Sequence, residues 1–311
     1  MASVTCVGIC VWDLVLRVDR FPTAPAKYRA VERRVVGGGV AANAAATVAA
    51  LGGDAALVSC VGSDPTGRRI VEDLVAHGVD TTAVRQVADR GSPLSAVFVV
   101  ESGVRWLVHH ASEDLFDRAE LPVDAEFDGV DAVLADMRWP AAAVVAFDAA
   151  RRRGIPAVLD CDHDPTRHTE VLAGATHAVF SLPTLVEFVG RSDPTAALEA
   201  ATDVTGGMPI ATDGSRGVYW LEDGACRHLP AFEVEVVDTL GAGDVFHGAF
   251  ALALAESRPV PEALEVAAAT AALKCTRFGG RSGIPTASEV QHLLDEHHRC
   301  LLYTSDAADD N

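Results

Sequence analysis

Apolar positions along the chain follow two alternating rhythms. Near-continuous apolar runs, as strands buried on both faces require, stand at VTCVGICVW (4–12), AALVSCVG (55–62), DAVLAD (131–136), IPAVLDCD (155–162), THAVFS (176–181) and MPIATDG (208–214). Helical spacing fills the intervals. VAANAAATVAALGG (40–53) is Ala-rich and closes on a Gly pair, and PTGRRIVEDLVAHGV (65–79) begins at Pro65 and ends at Gly78. PAAAVVAFDAARRRG (140–154), a stretch around 183–203, and two longer ones at 242–256 and 261–275 continue the series. A βαβα succession of this kind predicts an α/β fold with a doubly wound, mostly parallel sheet and helices on both faces.

One region breaks the rhythm. LVLRVDRF (14–21), AVERRVV (30–36), SPLSAVFVV (92–100) and GVRWLVHH (103–110) read as strands, and the last two have only the tight-turn signal ESG (101–103) between them. They predict a small antiparallel β lid, from segments near 14–36 and 92–110, standing off a single domain over 1–302. Val97 and Val99 on one lid strand, and Val104, Trp106 and Val108 on the next, are apolar at alternate positions. A lone two-faced sheet would expose them, so the lid is expected to pair with that of a second copy in a homodimer. Residues 303–311 are acidic, have no apolar period and resemble read-through of a foreign reading frame; they are left outside the fold.

The 311 residues with 49% hydrophobic content suffice for one large core. The 44 acidic residues outnumber the 25 basic ones, for a net charge of −19. That balance argues against nucleic acid or an anionic membrane as a partner, while leaving room for a local anion site. No apolar stretch reaches the roughly 18 residues of a membrane span, and the N-terminus lacks a basic leader. Cys6, Cys10, Cys60, Cys161, Cys226, Cys275 and Cys300 are odd in number and form no CxxC pair. They read as reduced, mostly buried thiols of a cytoplasmic protein. Asp160, Asp162, His163, Asp164 and His168 crowd one segment, but no helical or hairpin spacing sets them on one face, so a solvated loop is expected rather than a metal site.

Two glycine-rich segments carry the chemistry. DTLGAGD (238–244) leads into the helix VFHGAFALALA. Gly241, Ala242 and Gly243 put little side-chain bulk where a helix begins, so free N–H groups and the positive dipole end face one point, an anion site. Asp244 beside that site is badly placed to bind phosphate but well placed to take a proton from a hydroxyl attacking it. Taken alone, the segment equally suits a capped helix. The second segment, GGGVAAN (37–43), matches the GxGxxA dinucleotide fingerprint at Gly37, Gly39 and Ala42. The acidic residue required about 20 positions on is missing, its place taken by Val58-Ser59-Cys60, and the dehydrogenase reading is rejected. Glycines that admit a ligand to the backbone, with Asn43 as both donor and acceptor, suit a polyol.

Together the two segments resemble the signatures of the ribokinase-like (PfkB-type) carbohydrate kinases, a resemblance that covers roughly residues 4–295. Gly38-Gly39 to Asn43, Gly52 and Gly62 are similar to the N-terminal signature, and Asp238 to Gly248-Ala249 to the C-terminal one. The resemblance implies an ATP-dependent sugar kinase in which Asp244 is the base and the backbone of 241–243 receives the transferred phosphoryl group. It implies that Asp13, Gly38, Gly39 and Asn43 bind sugar hydroxyls. It also implies that TDGSRG, with Thr212, Gly214 and Gly217, lies along the nucleotide phosphates, and that Lys274 and Gly279, in the stretch 271–283, flank adenine and a monovalent cation. Where many members carry AsnxxGlu to organise Mg2+, this chain has Ser181-Leu182-Pro183-Thr184, so Mg2+ is expected on the nucleotide and water.

Within that family the chain is most similar to 6-deoxy-6-sulfofructose kinases, through PTAPAKY (22–28), GGG (37–39), LADMRW (134–139), VLDCD (158–162), GAGDVFHG (241–248) and ALKCTRFGGRSGIP (272–285). This resemblance implies an anionic sugar whose sulfonate is clamped by Lys27 and Arg138, with phosphorylation on C1. His109 stands where those enzymes have a lid Asn, which leaves fructose-6-phosphate, a ketohexokinase-type neutral sugar or a non-catalytic sugar sensor as alternatives.

Overall fold

The apolar runs become the strands of one large sheet. The computed structural model describes residues 1–100, 104–161 and 165–306, with 300–306 as backbone alone. Its strands are β1 (Ser3–Val7), β2 (Val11–Val18), β3 (Ala30–Gly38), β4 (Asp54–Gly62), β5 (Val79–Asp80), β6 (Val84–Val87), β7 (Leu94–Val99) and β8 (Arg105–His110). Then come β9 (Ala132–Asp136), β10 (Ala157–Cys161), β11 (His177–Ser181), β12 (Met208–Thr212), β13 (Val218–Glu222) and β14 (Ala225–Leu229). The helices are α1 (Val40–Ala50), α2 (Pro65–Ala76), α3 (Pro140–Arg153), α4 (Thr169–Gly174), α5 (Leu182–Val189), α6 (Pro194–Thr202), α7 (Ala242–Ala255), α8 (Val260–Cys275) and α9 (Ala287–Asp306).

In the main sheet, β4, β1, β9, β10, β11 and β12 lie side by side and parallel. The antiparallel pair β13–β14 closes one edge, and β5 and β6 pair with β4 at the other. From β1 the chain moves outward to β4 on one side and returns as β9 on the other. This reversal of strand order opens a crevice at the carboxyl ends of β1 and β9, where ligands of open α/β sheets sit.

Helices cover both faces. Ala41, Ala44, Ala45 and Val48 of α1 share a buried cluster with Ala249, Phe250 and Ala253 of α7 and Leu264 of α8. Phe147, Phe180, Leu185 and Leu198 fill the core beneath α3, α5 and α6. The alanines of α1 and a glycine on α7 bring these two helices unusually near: a Cβ on Gly248 would stand 2.5 Å from the Ala44 carbonyl oxygen.

The structure departs from the sequence pattern in several places. The run 4–12 is not one strand. The chain leaves the main sheet after Val7 and enters the lid at Val11, turning at Gly8 (φ +145°) over the Asp136 carboxyl group, where a Cβ would stand 2.2 Å away. Asp13 therefore belongs to lid strand β2 and not to the end of β1. The helix around 183–203 is two, since α5 stops at Gly190 (φ +69°) and α6 restarts at Pro194 behind an Asp193 cap. The lid, β3-β2-β7-β8, is antiparallel in its outer pairs but parallel between β2 and β7. Its register sets Asp13, Ser95 and His109 in one row. Val97 and Val99, on the face of that row, are buried with Val15 and Leu240. They are turned toward the body, while the opposite face leaves Val35, Trp106 and Val108 exposed. The ESG turn lies outside the described residues, and α9 runs past Leu302 to Asp306. Cys6, Cys10, Cys60 and Cys161 are free and buried, Cys226 and Cys275 free and half-buried. No described helix is long and apolar enough to cross a membrane.

Candidate active site

The turn GAGD stands where α7 begins. Gly241 caps the helix at φ +78°, in the left-handed region where glycine carries no steric penalty. First-turn N–H groups have no acceptor within their own helix, so this turn presents donors and the positive dipole end to a cavity that Ala242 and Gly243 line. The turn is held from behind by Asp238, which is fully buried. Its carboxylate accepts from the N–H of Leu240 (2.9 Å), Gly279 (2.9 Å) and Gly280 (3.4 Å).

The cavity beside it measures about 630 Å3. Thr212, Gly214 and Gly217 line one wall, and Val236, Phe246, Ala268, Ala271, Ala272 and Cys275 make the other apolar, a slot suited to a flat heterocycle with phosphates directed at α7. Lys274 and Gly279 are not in it. The Lys274 ammonium is fully buried, donates to the Asp238 carbonyl at 2.8 Å and stands 3.8 Å from its carboxylate. Burial lowers its pKa, and Asp238 offsets part of that. The Gly279 N–H is bound to Asp238 as well. Both residues frame the anion turn from behind, because an ammonium so deeply buried must stay with its counter-charge.

A second set of polar groups gathers where the lid strand β2 meets the start of α1. Gly38 passes so close beneath Asp13 that a Cβ would stand 2.0 Å from its Oδ2. Gly39, at φ +95°, caps α1 with the Ile9 carbonyl oxygen 2.5 Å from its Cβ position. The Asp13 carboxyl group is buried, and desolvation pushes its pKa up to about 6 against the opposing pull of Ser95 and Arg281. Asn43, one turn into α1, donates from Nδ2 to Asp244 Oδ2 at 2.6 Å. His109 meets the Ser95 hydroxyl at 3.1 Å. Partial burial, then the Arg138 charge and His110, lower the His109 pKa. Lys27 lies exposed in the loop between β2 and β3.

The sequence model of the pfkB family carbohydrate kinases matches residues 1–287. The chain belongs to that family. It is 30% identical over 296 residues to Bacillus subtilis ribokinase, covering 94% of this chain and 100% of the relative. With the ATP-dependent ribose-1-phosphate kinase of Halopiger xanaduensis it shares 32% identity over 315 residues, covering 95% and 99%. Among solved structures, a provisional ribokinase from Agrobacterium tumefaciens superposes with a TM-score of 0.92 at 36% identity over 96% of this chain and 99% of that one. Thermotoga maritima ribokinase gives 0.79 at 27% identity over 95% and 100%. The architecture is thus the ribokinase fold, and the protein is an ATP-dependent sugar kinase of the pfkB type.

Several residues of this kinase's site escape a reading of the sequence. Asp136, fully buried at the end of β9, accepts from the N–H groups of Ile9 (2.8 Å), Ala41 (3.1 Å) and Arg138 (2.8 Å). It ties the β1 exit, the start of α1 and the Arg138 loop to one carboxylate. Asp160 is no loop residue: it is buried in β10, and its Oδ2 is 2.8 Å from Nδ1 of buried His247 on α7. Burial opposes charge on His247, but the Asp160 carboxylate outweighs it and raises the pKa. Asp162, His163 and Asp164 lie outside the described residues, and His168 stands near Glu170. Among the described residues no three His, Cys, Asp or Glu side chains converge to hold a metal. An Asp closing an apolar strand was the available signal for Asp136 and Asp160. Arg281 carried none, since an Arg in a glycine-rich turn reads as solvated.

Proposed function

We propose that this kinase transfers the γ-phosphoryl group of ATP to a hydroxyl of an anionic sugar, with Asp244 as general base. The observation that carries the reading is the meeting of Asn43 with Asp244, 201 residues apart in the chain, between an apolar slot and the polar Asp13 pocket. Adenine in the slot would direct the phosphates at the first turn of α7. A sugar held by Asp13 and the backbone of Gly38 would then bring one hydroxyl to Asp244. Asp244 takes the hydroxyl proton as that oxygen bonds to phosphorus and the bond to ADP breaks, while the amides of 241–243 meet the charge on the phosphoryl oxygens. Magnesium, when bound, neutralises phosphate charge. With Ser181-Leu182-Pro183-Thr184 in place of AsnxxGlu, nucleotide oxygens and water would hold it. Asp244→Asn is expected to lower kcat by about 10²–10⁴-fold with little change in ATP affinity. A variant keeping a tenth of the wild-type kcat or more would remove the assignment.

Arg138, whose backbone N–H is tied to Asp136 at the carboxyl end of β9, and the lid residue His109 support an anionic group, while Lys27 lies exposed in the loop between β2 and β3. The resemblance to 6-deoxy-6-sulfofructose kinases makes that sugar, phosphorylated on C1, the first candidate. A neutral pentose is the second, favoured by the similarity to Bacillus subtilis ribokinase. Charge-assisted contacts are worth about 1.5–3 kcal/mol each, so two would set the sulfosugar roughly a hundredfold above fructose in kcat/KM. Arg138→Ala should abolish most of that preference. Side-by-side kcat/KM values for sulfofructose, fructose-6-phosphate, ribose and fructose decide it: a neutral sugar that matches both anions overturns the clamp. A cytoplasmic location and a homodimer closed through the lid belong to the same reading.

A further inference from the structure

We propose that Arg281 is a positioning residue for the base, acting through Asn43; the inference rests on the reading of Asp244 as that base. Arg281 lies in the short 3-10 turn Gly280–Gly283, far along the chain from either signature segment, and is only 2% exposed. Its guanidinium group is used on every nitrogen. Nε donates to Asn43 Oδ1 (3.1 Å), one terminal nitrogen to the Gly38 carbonyl (3.0 Å) and the other to Asp73 Oδ2 of α2 (2.5 Å).

A guanidinium group offers only donors and a carboxylate only acceptors. Asn43 stands between Arg281 and Asp244 and can serve both in a single orientation, with Oδ1 toward Arg281 and Nδ2 toward Asp244. The reversed amide would set N–H against N–H on one side and oxygen against oxygen on the other. Arg281 thereby decides that Asp244 faces a donor, which holds the carboxylate by Oδ2. The same guanidinium group holds the carbonyl of Gly38, the residue that packs against Asp13. Base and sugar pocket are thus indexed to one planar cation, itself anchored by Asp73.

The test uses the full-length kinase with ATP and its best sugar. Arg281→Lys keeps a charge for Asp73 but loses the fork. It should lower kcat about tenfold or more while KM for ATP stays within about twofold and the melting temperature shows a folded protein. Asn43→Asp retains an acceptor for Arg281 but turns a carboxylate toward Asp244. Two carboxylates so close share a proton, so the acid limb of the kcat–pH profile should move up by about one pH unit or more. The charges of His247 on α7 and Lys274 on α8, which act on the base, are common to variant and wild type. An unshifted acid limb in Asn43→Asp overturns the proposal, as does a wild-type kcat in Arg281→Lys. If Arg281→Lys does not fold, Asn43→Asp alone decides. Loss of activity in Asp244→Asn alongside either overturning result means that the positioning role fails while the base stands; an active Asp244→Asn removes both.

Discussion

At the scale of single residues, the pocket holds a carboxyl group that the fold keeps out of water at some expense. The pKa of Asp13 rises to about 6 from its ordinary 3.8, chiefly through burial. In the folded state its proton is therefore held more tightly than in the unfolded chain. The protonated form's stabilisation is complete below about pH 4 and lost as pH rises through about 6. The cost of ionising Asp13 in the fold is then on the order of 3 kcal/mol above pH 6. Asp13→Asn should raise the melting temperature of the sugar-free protein at pH 7.5 and do so less at pH 5, as melts at the two values would show. On the proposal that sugar hydroxyls donate to the ionised carboxylate, KM for sugar should rise as pH falls below about 6 in wild type. Beside it, Gly38→Ala would place a methyl carbon 2.0 Å from Asp13 Oδ2. That contact must displace the carboxylate, and KM for sugar should rise about tenfold or more, with KM for ATP nearly unchanged.

At the scale of elements, catalysis depends on how near α1 comes to α7. Asn43 reaches Asp244 because alanines on α1 face Gly248 on α7, and a Cβ there would meet Ala44 backbone atoms at 2.5–3.0 Å. Helix propensity alone makes Gly→Ala favourable by about 1 kcal/mol. Overpacking against backbone, which cannot rotate away, costs about 1–3 kcal/mol and wins. Gly248→Ala should therefore destabilise the protein in denaturant titrations and also lower kcat by separating Asn43 from Asp244. A more stable variant with full kcat would show that the helices tolerate the extra distance.

At the scale of the whole molecule, the lid has one face for the site and another for something else. Trp106 and Val108 of β8 and Val35 of β3 are 50%, 66% and 43% exposed on the face turned from Asp13, and Phe21 stacks on Trp106 at 4.5 Å. Apolar area on a sheet edge of this size is what a second lid would cover. A charged side chain in that seam would lose its water, so Val108→Glu should convert a dimer to a monomer at micromolar concentration. Light scattering that finds the wild type itself only as a monomer, near its 32.6 kDa chain mass, refutes the paired lid.

The sequence by itself determined the layers and the glycine turn that opens α7. Apolar runs that alternate with helical spacing can bury themselves only as a parallel sheet between helices, and GAGD is local, its function set by residues adjacent in the chain. Even there the pattern misjudged Gly8, where a continuous apolar run hides a change of sheet. Tertiary structure decided what depends on residues remote in sequence. It turned Val97 and Val99 toward the body, because strand register and not strand composition assigns a face. Burial made Lys274 a partner of Asp238, at a position that the family resemblance sets beside the nucleotide. It also drew Asp160 out of an acidic-looking segment to His247. Arg281 shows the reason most plainly. A charged side chain in a glycine-rich turn carries no local sign of burial, and only the fold brings it to Asn43, 238 residues away in the chain.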